Sequence, residues 1–156
     1  MLEAAPSRSH FGSLVRAPLG VIGGAVLWMY GFLLLARVVV LLWPAYAVPA
    51  RIWSRTGAYT FTPTMSLLNA SLWIAAEIAA GWLTAVIARR RGALWTLAVL
   101  VMGYLCFMHL YYAWHALPWW YNLIVAFTSG PAVLLGGRLG GTSRSAMTAA
   151  RHAASA

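Results

Sequence analysis

The chain has little charge, few acidic residues and no lysine. Only 8% of its 156 residues are charged, and Glu3 and Glu77 are the only acids beside eleven arginines. Soluble globular proteins average about 25% charged residues, so this composition excludes an ordinary soluble domain. Two acids in the whole chain also exclude the paired carboxylates and Ser/His/Asp sets of hydrolases. We therefore expect a protein without enzymatic activity.

Cysteine is scarce as well, because Cys106 is the only one, which excludes an intrachain disulfide framework.

The lack of lysine bears on segment 136–141, whose glycines suggest a phosphate-binding loop. Such a loop requires a lysine followed by a hydroxyl residue, so the segment is not one. We predict instead that its glycines end a helix and that Arg138 lies at the membrane surface.

Apolar residues make up 62% of the chain, which excludes disorder, and they form four long runs. The runs cover residues 19–43, 66–88, 93–116 and 119–137. Each is long enough to cross the bilayer core, which takes about 20 helical residues. We predict an all-α, polytopic transmembrane four-helix bundle over 19–139, between tails at 1–18 and 140–156. The first run exceeds the roughly 7–15 apolar residues of a signal peptide, so we expect it to be retained.

The arginines indicate how these spans are oriented. Eight lie in the two tails and the second loop, whereas only Arg51 and Arg55 lie on the opposite side. Because cytoplasmic segments carry the excess of positive charge, both termini are predicted to be cytoplasmic. The loop that holds Arg51 and Arg55 is expected to form a short helix in the outer interface. The arginines predicted to anchor the cytoplasmic ends are Arg89, Arg90, Arg91 and Arg138.

Small residues recur at four-residue spacing in the first two spans. This spacing lets helices approach closely in a membrane, where van der Waals contact drives their association. The residues predicted to pack helices in this way are Gly20, Gly24, Ala76, Ala80, Gly81, Thr84 and Ala88. Pro131 lies within the fourth run and removes a hydrogen bond to the Phe127 carbonyl, so we expect a kink there.

Three ionisable side chains lie within spans, where such residues are functional candidates. Arg37 and His109 are expected at similar depth, with Glu77 deeper but within reach of an extended arginine. One hypothesis is a buried Arg37–Glu77 pair beside His109 that moves protons or ions. The other is a structural ion pair, with His109 bonded to a backbone carbonyl. Arg37 equally has the length to reach outward to the headgroups.

A second group consists of Met102, Cys106 and His109, which fall within about 60° of one another on a helix. Thioether, thiolate and imidazole groups are the ligands that copper(I) prefers. Methionine and cysteine are also ordinary apolar packing residues. We expect no cofactor, while a copper- or haem-binding redox protein that uses these residues stays open as a hypothesis.

Several short motifs stand out beside these patterns. They are residues 43–46 (WPAY), 80–85 (AGWLTA), 87–90 (IARR), 109–110 (HL), 118–121 (PWWY) and 135–139 (LGGRL), the last preceded by Pro131. Together, over roughly residues 20–140, they resemble a group of small four-span bacterial inner-membrane proteins of uncharacterised activity. The resemblance implies the fold and the bacterial inner membrane as location. In that group a histidine often follows the Trp-Tyr pair, where this chain has Asn122.

The size of the chain and its few intramembrane polar groups favour a non-enzymatic accessory or structural subunit of a larger membrane complex. The alternative is a small transporter, or a proton- or ion-conducting oligomer, that uses Arg37, Glu77 and His109. The expected partners are membrane lipids and other membrane protein subunits or further copies of the chain. No nucleic acid is expected, because orientation in the membrane accounts for the arginines.

Overall fold

The computed structural model describes residues 8–154, and the side chains of residues 15–141. In this part of the chain every regular element is helical. The elements are α1 (Arg8–Leu42), α2 (Pro44–Thr56), α3 (Pro63–Ala88), α4 (Arg91–Cys106), a π-helical segment (Phe107–Tyr112) and α5 (Trp119–Ala154). The outer ends of the two predicted tails, with Glu3, lie outside the described residues.

Four helical stretches are long and apolar enough to cross a membrane. They are Val15–Leu42, Pro63–Ala88, Arg91–Tyr112 and Trp119–Gly141. Each overlaps one of the runs predicted from the sequence. The third ends at Tyr112, before the predicted limit at 116, because Ala113 leaves helical geometry with φ of −99° and ψ of 7°. The additional helix, α2, occupies the loop in which a short helix is predicted.

Local sequence signals set the limits of α2 and α3. Pro44 opens α2, where the fixed φ of proline suits the first turn and its missing N–H is not needed. Gly57 ends α2 in the left-handed conformation, with φ of 69°. α3 starts at Pro63, directly after Thr62, whose hydroxyl accepts a hydrogen bond from the Met65 N–H. Both ends of α2 and the start of α3 thus lie where these residue types favour them.

α5 does not end at the glycine-rich segment 136–141. The helix continues to Ala154, so the prediction that these glycines terminate it is wrong. The glycines serve close helix contact instead, because a side chain at Gly136 would collide with the Ile78 carbonyl of α3. The packing gained by this approach offsets the weak helix propensity of glycine. Pro131 also lies inside the continuous helix, and its kink stays a prediction.

α1 packs against α3 through small residues of both helices. Gly20 lies against Ala88, and Gly24 lies against Thr84 and Ala80, so that a Cβ atom at either glycine would collide with α3. The Thr84 hydroxyl also donates to the Gly20 carbonyl at 3.0 Å. Of the small residues predicted for helix packing, Gly81 faces α5 and all the others lie along this seam. Its antiparallel register sets which residues of α1 and α3 lie level.

α3 and α5 form the most extensive contact between two helices of the bundle. Gly81 lies so close to the Val133 carbonyl that no side chain would fit between them. α4 packs on the other side of this pair and completes an apolar core. The largest apolar side chains that are fully buried there are Leu97, Val101, Leu105, Val125 and Val133.

Candidate functional site

A cavity of about 390 Å³ lies at the end of the bundle that α2 covers. We name it the aromatic cavity. Its ring-bearing walls include Phe32, Tyr46, Tyr59, Phe61, Trp73 and Tyr121. Only a few groups along its lining are polar, among them Arg37, Asn69 and His109. A mostly apolar cavity with a few convergent polar groups is the usual form of a small-molecule site.

Ring-to-ring contacts hold the walls of the aromatic cavity. Phe32 of α1 stacks on Trp73 of α3 with centroids 3.7 Å apart and planes within 8°. Tyr59 contacts Phe61 at 5.1 Å and Tyr121 at 5.9 Å, which joins the α2–α3 loop to α5. Aromatic pairs at such separations contribute about 0.5–1.5 kcal/mol beyond their buried area. The cavity is therefore shaped before any ligand enters.

Two tyrosines fix α2 and the following loop to α3 by hydrogen bonds. The buried Tyr46 hydroxyl donates to Asn69 Oδ1 at 2.6 Å, which leaves the Asn69 amide hydrogens as donors. Burial, together with the nearby Tyr59, raises the pKa of Tyr46 to about 12. Tyr59 donates to Ser66 Oγ at 2.6 Å, and burial raises the pKa of its hydroxyl above the usual value. Both tyrosines stay neutral donors at physiological pH.

His109 enters the cavity from the π-helical segment and is oriented by Asn122. The Asn122 amide nitrogen donates to the carbonyls of Trp114 and Leu117, each at 3.4 Å, so its oxygen is the atom 2.9 Å from His109 Nδ1. Nδ1 must therefore carry the proton, and Nε2 of the neutral ring is an acceptor. Nε2 has no hydrogen bond among the described residues and is not sealed from the cavity. A π-helical stretch inside an α-helix is frequent at functional sites.

Arg37 is an exposed residue of α1 that also lines the aromatic cavity. It forms no hydrogen bond or ion pair with any residue among 15–141. Arg37 and His109, which the sequence places at similar depth, line the same cavity without a hydrogen bond between them. The guanidinium group keeps all its donors available for a ligand.

The predicted pair between Arg37 and Glu77 is not formed, because the register of α1 on α3 separates them. Gly31 lies opposite Ala76, so Arg37 lies level with Ala70, about 10 Å along the axis from Glu77. Glu77 is fully buried, and neither carboxyl oxygen has a hydrogen-bond partner among the described residues. The Ser129 hydroxyl adjoins this carboxyl group but donates to the Val125 carbonyl.

The structure places Met102, Cys106 and His109 along one seam with α5, but each has a different neighbour there. Met102 packs against Gly130, and the Cys106 thiol lies 3.8 Å from the Ala126 carbonyl. Among the residues whose side chains are described, no three His, Cys, Asp or Glu side chains form a group that could hold a metal. Binding of copper or haem by these residues stays an untested hypothesis.

A second cavity, of about 750 Å³, lies at the opposite end of the bundle. We name it the arginine pocket, because all four arginines predicted as cytoplasmic anchors line it: Arg89, Arg90, Arg91 and Arg138. The sequence predicted their common side of the membrane, and the structure adds that α3, α4 and α5 bring them around one concave surface.

Sequence reasoning missed Asn69 and gave Asn122 no role in the site. Each is an amide in a largely apolar run, and this rarity is a signal that it needs a hydrogen-bond partner. The π-helical segment, which contacts α5, has no such signal in its residue types.

Comparison with models of protein families, with curated proteins and with solved structures finds no match to this chain. The resemblance to small four-span inner-membrane proteins therefore stays a prediction.

Proposed function

We propose that the protein is a non-enzymatic, multi-pass protein of the bacterial inner membrane that binds an amphipathic molecule in the aromatic cavity. The apolar body of the ligand lies against the rings of Phe32 and Trp73. Its head is an anionic group that accepts hydrogen bonds from Arg37. The single observation that carries this proposal is an arginine without a partner among residues 15–141, beside a preformed apolar cavity.

The charge of Arg37 supports an anionic head group. Charge-assisted hydrogen bonds to a guanidinium group are shorter and about twice as strong as neutral ones. The described lining of the cavity contains no carboxylate that competes for this arginine. The Asn69 amide supplies a neutral donor nearby, and Nε2 of His109 accepts from a hydroxyl group of the ligand. These groups bind and orient, and none of them forms a nucleophile–base pair.

The arginine distribution supports the proposed topology. With both termini in the cytoplasm, the arginine pocket lies on the cytoplasmic side and the aromatic cavity lies in the outer half of the membrane. The tyrosine and tryptophan side chains around the cavity suit this level, because amphipathic rings favour the interface. A ligand then enters from the outer leaflet.

Oleate is a suitable probe, because its carboxylate and its chain match the two parts of the cavity. The full chain, purified in mild detergent, is incubated with oleate or with methyl oleate and examined by native mass spectrometry. We expect retention of oleate but not of the uncharged ester. Arg37→Gln should lower oleate retention at least about tenfold, because one charge-assisted bond is lost.

Arg55→Gln is the matched control, since Arg55 is an exposed arginine of α2 that does not line the cavity. This variant should retain oleate like the unmodified chain. Equal retention of oleate and its ester, or equal losses in the Arg37 and Arg55 variants, would contradict the proposal.

An accessory role in a larger complex is a second candidate, and the exposure of α1 favours it. Few residues of Val15–Leu42 are buried, whereas half of Trp119–Gly141 is. A long helix with one packed side leaves its other sides for lipid or for a further membrane protein. Blue-native electrophoresis in mild detergent tests this role, and migration as a free monomer alone would argue against it.

A proton- or ion-conducting role is less well supported. Arg37 and His109 share the aromatic cavity, but Glu77 lines neither this cavity nor the arginine pocket. A pathway through Glu77 therefore lacks a described opening. If the protein conducts protons through this residue, Glu77→Gln must abolish pH-driven flux in proteoliposomes.

A further inference from the structure

We propose that the arginine pocket binds the phosphate group of an anionic phospholipid. This inference concerns the opposite end of the bundle from the aromatic cavity and does not depend on the ligand proposed there. It rests on four guanidinium groups around one concave surface, on their lack of partners among the described side chains, and on the apolar flank beside them.

Three elements bring the four arginines together. Arg89 and Arg90 form the tight turn between α3 and α4, and Arg91 is the first residue of α4. Arg138 reaches the same pocket from α5. All four are exposed, so their charged heads are accessible from the pocket. Guanidinium groups bind phosphate oxygens in a bidentate manner, which makes arginine suited to this ligand.

No protein group among the described residues neutralises these charges. None of the four arginines forms an ion pair or a hydrogen bond with residues 15–141. The described acid, Glu77, lies eleven residues back along α3 from Ala88, which is about 16 Å on the helix axis. The first turn of α4 contains no acidic residue, and its N-cap residue makes no side-chain cap. Its free N–H groups add to the positive potential.

The backbone at Arg89 is an independent sign that arginine is kept there for its side chain. Arg89 has φ of 55° and is the only non-glycine residue with positive φ in the described chain. Glycine adopts this left-handed conformation without the cost that a Cβ atom brings, and it is the usual residue at such a helix end. A function for the guanidinium group explains why the strained residue stands there.

The flank of the pocket distinguishes a lipid from a free phosphate ion. Leu94 and Trp95 of α4 and Leu134 of α5 line the pocket beside the arginines. These apolar side chains continue from the charged rim into the membrane-crossing part of the bundle, where acyl chains lie in the proposed topology. Basic pockets between helices at the cytoplasmic surface suit anionic headgroups for this reason.

The test compares dioleoylphosphatidylglycerol with dioleoylphosphatidylcholine, which share acyl chains and a phosphate but differ in net charge. The full chain in mild detergent is incubated with an equal mixture, and retained lipid is measured by native mass spectrometry. We expect the anionic lipid to be retained preferentially. The double variant Arg89→Gly with Arg138→Gln should lower this retention about thirtyfold, as expected for the loss of two interfacial arginines.

The double variant Arg51→Gln with Arg55→Gln is the matched control, because it removes two exposed arginines from the other end of the bundle. Thermal unfolding serves as the fold control, and Arg89→Gly alone should not lower the unfolding temperature, since glycine suits this φ. The proposal is overturned if both double variants lose the anionic lipid equally or if the two lipids are retained alike. Displacement of the lipid by equimolar inorganic phosphate would also overturn it in favour of a free-ion site.

Discussion

At the residue scale, Asn122 is the group that prepares His109 for contact with a ligand. Its amide nitrogen is held by two carbonyls of the preceding turn, so its oxygen is fixed toward Nδ1. One buried side chain thus sets both the end of the turn and the tautomer of the histidine. Loss of such a buried partner costs more than the bond itself contributes, because the remaining group stays desolvated.

Asn122→Leu should therefore destabilise the protein by about 1–3 kcal/mol or more, since His109 and two carbonyls lose their partner. The measurement is thermal or denaturant unfolding in detergent, followed by circular dichroism. His115→Ala removes an exposed histidine and serves as the control. A leucine variant as stable as the control would show that the Asn122 network adds nothing to folding.

The raised pKa of Tyr46 predicts that the folded protein loses stability at alkaline pH. Its pKa is about 12 in the folded chain against 10 ordinarily, so the folded state holds the phenolic proton more tightly. This contribution is complete below pH 10 and is lost as the pH rises from 10 toward 12. We expect the unfolding temperature to fall across this interval, and to fall less in Tyr46→Phe. The exposed Tyr111→Phe should behave like the unmodified chain, and an identical pH profile in Tyr46→Phe would contradict the assignment.

The sequence marked Arg37, Glu77 and His109 correctly as unusual, because ionisable groups in apolar spans are rare. It did not show which of them meet. Depth along a span can be counted from the chain, but the rotation and register of one helix against another decide contact. Those depend on glycine contacts such as Gly24 with Thr84, which place Arg37 beside the aromatic cavity and Glu77 against α5.

At the scale of elements, the close packing of α1 on α3 depends on glycines, which have no side chain. Gly24→Ala places a methyl group where the Thr84 hydroxyl and Leu97 already lie. We expect a loss of about 1–3 kcal/mol in stability, measured by thermal unfolding in detergent, because a tight core tolerates added volume poorly. The matched control is Gly103→Ala in α4, where a Cβ atom meets nothing within 4 Å.

The control should gain about 0.5–1 kcal/mol, since alanine favours helix more than glycine does. The opposite signs of the two glycine substitutions are the diagnostic result. If both variants shift stability in the same direction, helix propensity rather than packing governs these positions, and the seam does not hold α1 in place.

The four long helices and their small-residue spacing follow from the sequence because length, hydropathy and glycine spacing are local patterns. The ends of these helices were harder to predict. Glycines in segment 136–141 have the composition of a helix terminus, yet contact with α3 keeps them helical. The widened segment Phe107–Tyr112, which contacts α5, likewise follows from no local sequence pattern.

At the scale of the whole molecule, the proposed topology predicts the sides of two reporter fusions. Alkaline phosphatase, which is active only outside the cytoplasm, should be inactive when fused after Arg151 and active when fused after Gly57. A green fluorescent protein fusion should give the complementary result. The physical reason is the excess of arginine in the tails and the second loop. Active phosphatase after Arg151 would invert the orientation.

The two cavities could not be predicted as cavities, although most of their charged residues could. Arginines near span ends are visible in the sequence, but a concave surface needs the crossing geometry of α3, α4 and α5. The aromatic cavity similarly requires α2 to fold back on α3, which the Tyr46–Asn69 hydrogen bond fixes over 23 positions of sequence. Contacts between residues so far apart in the chain cannot be predicted from composition or from local sequence patterns.

Two polar side chains of the bundle, His109 and Glu77, have their polar neighbours on the last helix, α5, and this has a consequence for biosynthesis. His109 acquires Asn122, and Glu77 is enclosed beside Ser129, only when α5 has been translated. A nascent chain that stops before Trp119 leaves an imidazole and a carboxyl group open to lipid. Because such a truncated product exposes these two polar groups, we expect membrane quality-control proteases to degrade it faster than the complete chain.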